Sequence, residues 1–139
     1  KHKYDAEAIV VIDHQLLLFS KDRENLNTDL YLIDKFQKGP QKLTSEATYN
    51  VNSLITGGDY NDELNFLALV SYSSKGNQYL ILFERFDLEN LKESSFKKYN
   101  IPLKRAQIES IKIIDKKTFW VTSEDEGIGS PFMYKLKVK

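Results

Sequence analysis

The residues of this sequence best suited to chemistry are carboxylates at two matching places. Glu7 lies in Asp5-Ala6-Glu7-Ala8-Ile9, and Glu109 in Gln107-Ile108-Glu109-Ser110-Ile111, 102 residues further on. Thr56, in Ser53-Leu54-Ile55-Thr56-Gly57, stands roughly midway between them. Two polar clusters, Ser20-Lys21-Asp22 and Ser123-Glu124-Asp125-Glu126, follow the next apolar stretch after each carboxylate. Oxygen ligands suit a hard cation such as calcium, which takes about six to eight of them. Glu7 and Glu109 are the expected pair if a metal is held. The same carboxylates have a structural use, because a buried carboxylate needs donors whatever its role and would lock neighbouring units together. The stretch from Ser123 to Gly127 is acidic and ends in glycine, but lacks the alternating Asp/Asn spacing of a calcium loop.

Other chemistries find less to work with. The chain has no cysteine, which excludes disulfides, thiolate metal sites and cysteine nucleophiles. His2 is terminal and His14 sits in a polar turn with no second histidine at ligand spacing, so zinc is not expected. No Gly-x-Ser-x-Gly elbow is present, and Gly57-Gly58 and Gly127-Ile128-Gly129 match neither dinucleotide nor P-loop spacing. Twenty basic residues balance twenty acidic ones, and Lys97-Lys98, Lys104-Arg105 and Lys116-Lys117 are interleaved with acids. Nucleic acid is therefore not an expected partner. No apolar run approaches the ~20 residues of a membrane-spanning helix.

The elements that must position these residues read as strands. Short β-branched and aromatic runs alternate with polar turns. Strands are expected near Glu7–Ile12, Leu16–Ser20, Leu30–Asp34, Ala47–Val51, Asn52–Thr56, Phe66–Tyr72, Tyr79–Phe86, Ser95–Ile101, Ile108–Ile114, Thr118–Ser123 and Phe132–Val138. Turn chemistry points to Lys38-Gly39-Pro40, Gly57-Gly58-Asp59, Lys75-Gly76-Asn77 and Gly127-Ile128-Gly129. The one helical candidate, Asp87–Lys98, is too weakly patterned for more than a turn or two. The aromatic set Phe66, Tyr72, Tyr79, Phe83, Phe86 and Phe96 reads as core packing.

Internal similarity organises these strands. Offset by 102 without a gap, Ile9 meets Ile111, Ile12 meets Ile114, Asp13 meets Asp115, and Leu17-Leu18 meet Phe119-Trp120. One inserted residue beyond Asp22 then aligns Leu30-Tyr31 with Met133-Tyr134. With the middle copy, the units are approximately 4–51, 52–102 and 103–139, the third ending after its third strand. Units of about 50 residues with three or four strands mark β-propeller blades. The expected fold is all-β and propeller-like: about three blades of antiparallel four-stranded sheets, half of a six-bladed ring. The alternative for a chain of 139 residues is a small β-sandwich or barrel. In a ring, Glu7, Thr56 and Glu109 open the innermost strands and face the channel mouth, with Lys21, Ser123 and Glu124 on neighbouring loops.

The Asp5-Ala6-Glu7-Ala8-Ile9 and Leu18-Phe19-Ser20-Lys21-Asp22 pair, repeated at Gln107–Ile111 and Trp120–Glu124, resembles a bacterial blade signature. It is similar to that of secreted six-bladed propellers of the SdiA-regulated and esterase-like phytase type, and Leu54–Tyr60 resembles the middle blade. Gln107 in place of Asp, and Thr56 in place of Glu, depart from a uniform acidic ring. The resemblance implies an extracellular, periplasmic or cell-surface protein whose C-terminal half this chain matches. The expected function is a binding or scaffold module for a small molecule, glycan or protein, without a catalytic residue. The alternative is a metal-dependent phytase-like or lactonase-like hydrolase. The partner would be a second half-propeller, as the rest of a longer chain or as a second copy. A bare fragment would leave sheet edges exposed at Lys1–Glu7 and Phe132–Lys139.

Overall fold

Two adjacent glycines place the strands of this protein. Gly57 and Gly58 read as a turn in the sequence, but lie inside a strand, Leu54–Asn61. A Cβ on Gly57 would stand 2.7 Å from the Glu109 carbonyl oxygen, and one on Gly58 2.8 Å from a methyl of Val10. The pair is needed for close approach of three strands, and the chain instead turns at residues 62–65, where Asn65 takes φ 46°. The expected strand Asn52–Thr56 is accordingly shifted and lengthened.

The computed structural model describes residues 5–103, 106–125 and 130–139. Among these residues eleven strands run in chain order: β1 Ala6–Ile12, β2 Gln15–Ser20, β3 Thr28–Asp34, β4 Ser45–Tyr49, β5 Leu54–Asn61, β6 Phe66–Tyr72, β7 Gln78–Phe83, β8 Lys97–Ile101, β9 Gln107–Ile113, β10 Thr118–Glu124 and β11 Met133–Lys137. Among the described residues they form three antiparallel meanders: sheet I (β1–β4), sheet II (β5–β8) and sheet III (β9–β11). None closes on itself into a barrel. The helical candidate becomes one 3-10 turn, Leu91–Glu93, and Asp87 caps an Asx turn ahead of it by accepting from the Glu89 N–H at 2.9 Å. The expected Gly127-Ile128-Gly129 turn and the Lys104-Arg105 pair lie outside the described residues, as does the start of the proposed N-terminal edge.

The sheets stack face to face. The front of sheet I (Val10, Leu17, Phe19, Leu30) meets the back of sheet II (Ile55, Leu69, Ile81, Phe83) in one core. The front of sheet II (Phe66, Ala68, Val70, Leu80) meets the back of sheet III (Ile108, Ile111, Phe119, Val121) in a second. The first strands approach most closely: β1 lies beside β5, and β5 beside β9. Sheet II, covered on both faces, is buried from Phe66 to Ser71 along β6, whereas β1 and β9 alternate buried and exposed. Four aromatics behave as core: Phe66, Phe83, Phe86 and Phe96 pack in the two clusters. Tyr72 and Tyr79 do not, and each instead lies under a lysine.

Candidate functional site at the inner strand ends

Each first strand carries one bulge, and the extra residue is Glu7, Thr56 or Glu109. Ala6 and Ala8 pair with consecutive residues Ser20 and Phe19, leaving Glu7 unpaired. Ile55 and Gly57 pair with Ser71 and Val70 around Thr56. Ile108 and Ser110 pair with Ser123 and Thr122 around Glu109. A bulge turns its extra side chain away from the pleat and increases the local twist. The residue before each bulge faces a buried serine, Ser20, Ser71 or Ser123, and the next residue along that strand is Lys21, Tyr72 or Glu124.

This register corrects one detail of the sequence alignment. The inserted residue falls in the β9–β10 turn, not beyond Asp22, because β1 and β2 are joined by a shorter turn than β9 and β10. Ser20 is thus the counterpart of Ser123 rather than Thr122, and Lys21 that of Glu124.

The six candidate residues fare differently. Lys21 is buried, with 2% of its side chain exposed, and its Nζ donates to Glu7 Oε2 at 2.6 Å. Its ammonium also stands 5.1 Å from the centre of the Tyr72 ring, a cation–π contact from the counterpart position of the next sheet. Arg23 extends the cluster by pairing with Asp5 at 2.9 Å, which holds its pKa above the ordinary value. Glu109 is half-buried and accepts a hydrogen bond from Gln107 Nε2. Burial pushes its pKa up, the Gln107 bond opposes that, and the neighbouring charges of Glu124 and Glu7 add to the rise. Lys21, acting in the other direction, shares the same field.

Thr56 and Ser123 are turned inward. Thr56 Oγ1 donates to the Ile108 carbonyl at 2.5 Å, tying sheet II to sheet III where Gly57 approaches. Ser123 Oγ accepts from the Phe132 N–H at 3.2 Å, and Ser20 Oγ from the Asp29 N–H at 2.9 Å. The Ser20 and Ser123 hydroxyls join β2 to β3 and β10 to the residue before β11, whereas Ser71, their counterpart on β6, hydrogen-bonds Ser53 Oγ at 2.9 Å. Four of the six residues, Glu7, Lys21, Glu109 and Glu124, therefore make one charged cluster, and two fasten the strands beneath it.

Sequence reasoning missed Tyr72, Arg23, Asp5 and Gln107. Tyr72 was findable, since it follows Ser71 as Lys21 follows Ser20. Arg23 and Asp5 meet only through the β1–β2 pairing, with no local pattern to announce them. Among the described residues no group of three or more His, Asp or Glu is placed to hold a metal. Among the described residues no helix is long and apolar enough to cross a membrane. A groove of about 780 Å³ opens elsewhere, on the outer face of sheet I beside Leu18, Tyr31 and Leu43. Compared with protein families, curated proteins and solved structures, the chain matches none.

Proposed function

We propose that the three sheets are consecutive blades of a β-propeller-like ring, about half of a six-bladed one. We further propose that the chain is a binding or scaffold module for a small molecule, glycan or protein, exported or held at the cell surface. Its ligand sits on the Glu7–Lys21–Glu109 cluster. One observation carries the reading: the same bulge recurs at one register on three neighbouring first strands, β1, β5 and β9. In a propeller the first strand of each blade lines the channel, and ligands gather where those strands end. The cluster offers carboxylate acceptors, one ammonium and an aromatic face, a set that suits hydroxyl- or amine-bearing ligands. The hydrolase alternative needs Glu7 and Glu109 free to share a cation. Glu7 already has the Lys21 ammonium at 2.6 Å, which favours binding over metal-assisted hydrolysis.

The test is an amide-resolved NMR titration with neutral sugars, amino sugars and calcium chloride as separate probes. The expected result is a set of shifts confined to Glu7, Lys21, Tyr72, Gln107–Glu109 and Glu124, abolished by Glu109→Gln. Shifts spread over the outer strands, or none with any of these probes, would overturn the module reading. Calcium shifts at Glu7 and Glu109 would turn it towards the hydrolase.

A further inference from the structure

We propose that β11 and the cleft between it and β8 dock an extended strand of another protein, one that alternates acidic and apolar residues and adds itself to the edge of sheet III. The surface belongs to the outer strands, not to the inner strand ends, and does not depend on what the Glu7–Lys21–Glu109 cluster binds.

Backbone register defines the edge. The Phe132 carbonyl accepts from the Ser123 N–H at 2.9 Å, and the Val138 N–H donates to the Lys117 carbonyl at 2.8 Å. Backbone groups alternate sides along an antiparallel ladder. Phe132, Tyr134, Leu136 and Val138 therefore turn theirs towards β10, while Met133, Lys135 and Lys137 turn theirs outward. The equivalent third strands, β3 and β7, use that outward row to pair with β4 and β8. Among the described residues no strand pairs with the outward row of β11. Such a row of N–H and C=O groups is a template for an incoming strand.

A cleft of about 430 Å³ lies between this edge and sheet II. Tyr99 and Pro102 line one side, Leu136 and Val138 the other. Tyr99, Leu136 and Val138 pack on the second core but are only half-buried, which leaves apolar surface to be covered. The charged residues of the cleft are Lys135, Lys137 and Lys139, all three exposed.

These features set the chemistry of the occupant. Residues directly opposite one another on paired strands project from the same face. Side chains set against Lys135 and Lys137 would thus meet two ammonium groups, which suit glutamate or aspartate and repel lysine. The residues between them turn to the other face, over the cleft, where valine or isoleucine covers its apolar walls. The β11 edge of a second copy does not fit, because it would set lysine against lysine. In strand addition of this kind the main chain supplies affinity and alternate side chains supply selectivity.

Amide-resolved NMR with two eight-residue peptides tests this, one alternating valine with glutamate and the other valine with lysine. The glutamate peptide is expected to saturate, with shifts confined to β8 and β11. It should slow hydrogen exchange at the Met133, Lys135 and Lys137 N–H groups at least about tenfold. The lysine peptide is expected to bind at least about tenfold more weakly. The double substitution Lys135→Glu with Lys137→Glu, at exposed positions, should reverse that preference, which misfolding would not imitate. Lys135→Pro removes one outward N–H and no bond to β10, and should abolish binding of both peptides. No saturation by either peptide at about 1 mM, equal binding of the two, or shifts gathered at Glu7 and Glu109 would overturn the proposal. Slow exchange at Met133, Lys135 and Lys137 in the protein alone would overturn it too, because the edge would then already be taken.

Discussion

Replacing Gly57 by alanine tests how the sheets are joined, because the expected sign is opposite to that of an ordinary strand. In a strand interior, alanine is favoured over glycine by roughly 0.5–1 kcal/mol through the entropy of the unfolded chain. Here the new Cβ would stand 2.7 Å from the Glu109 carbonyl oxygen and 3.2 Å from the Cα of Ser110, both backbone atoms of β9. Restoring ordinary contact at 3.4 Å requires β5 and β9 to part by about 0.7 Å. A gap of that size forfeits a quarter to a half of the local van der Waals attraction. It also stretches the adjoining Thr56–Ile108 hydrogen bond, which contributes about 1 kcal/mol. Overpacking of this kind costs about 1–3 kcal/mol. After the entropic gain is set against these losses, the net is a destabilisation of about 2 kcal/mol. For a chain of this length that lowers the melting temperature by roughly 6–8 °C. Gly58→Ala should cost less, about 1 kcal/mol, because its Cβ would meet the movable ends of Leu69 and Val10 rather than backbone. Urea unfolding of the three proteins, with m-values compared to confirm a common unfolded state, reads the order. If Gly57→Ala proves neutral or stabilising, the close approach of the first strands is refuted.

Three further predictions concern the cluster and the first core. Glu109 has its pKa raised by burial, so the folded form binds its proton more tightly than the unfolded chain. Its effect on stability is absent at acid pH and becomes a penalty as pH rises from the ordinary glutamate value through the folded one. Glu109→Gln is therefore expected to melt above wild type at pH 7 and level with it at about pH 4; a constant difference across that range would discredit the assignment. Glu7→Gln leaves the Lys21 ammonium buried with a weakened partner and should cost about 1–3 kcal/mol. A double-mutant cycle with Lys21→Met should then show coupling of at least about 0.5 kcal/mol, whereas simple additivity would mean the pair does not interact. Tyr49 donates from its hydroxyl to the Leu91 carbonyl at 2.7 Å, and burial pushes its pKa up to about 12. Its stabilising contribution persists through pH 10 and is lost as pH climbs towards that value. Ultraviolet titration should show one tyrosine ionising late and absent from Tyr49→Phe; all eight tyrosines titrating together, with no late step, would contradict this.

Much of the architecture is legible in the sequence because a strand announces itself locally. Alternation and β-branched runs locate all eleven strands to within a few residues, and the exceptions have causes. Gly57-Gly58 carries the composition of a turn, yet a glycine pair also suits a strand where another backbone comes close. Only the position of β9 distinguishes the two. The repeat exposes Glu7, Thr56 and Glu109 as counterparts, and the structure puts all three at bulges. The one-residue slip in the β9–β10 turn hides the rest of the pattern, so Lys21, Tyr72 and Glu124 are not read as one recurring position. Arg23 and Asp5 lie 18 residues apart and meet through a hydrogen-bonded ladder that no short motif describes.

The matching carboxylates with which the sequence begins its claim to chemistry are real counterparts, and their spacing is a property of the sequence alone. What becomes of each was decided by tertiary structure: Glu7 is neutralised by a buried lysine, Glu109 is left among like charges, and Thr56 is spent fastening two sheets. The same holds for Ile9 and Ile111, which occupy one register in two copies of one unit. One is exposed and the other buried, because periodicity determines which side chains share a face, while burial depends on whether another sheet lies against it.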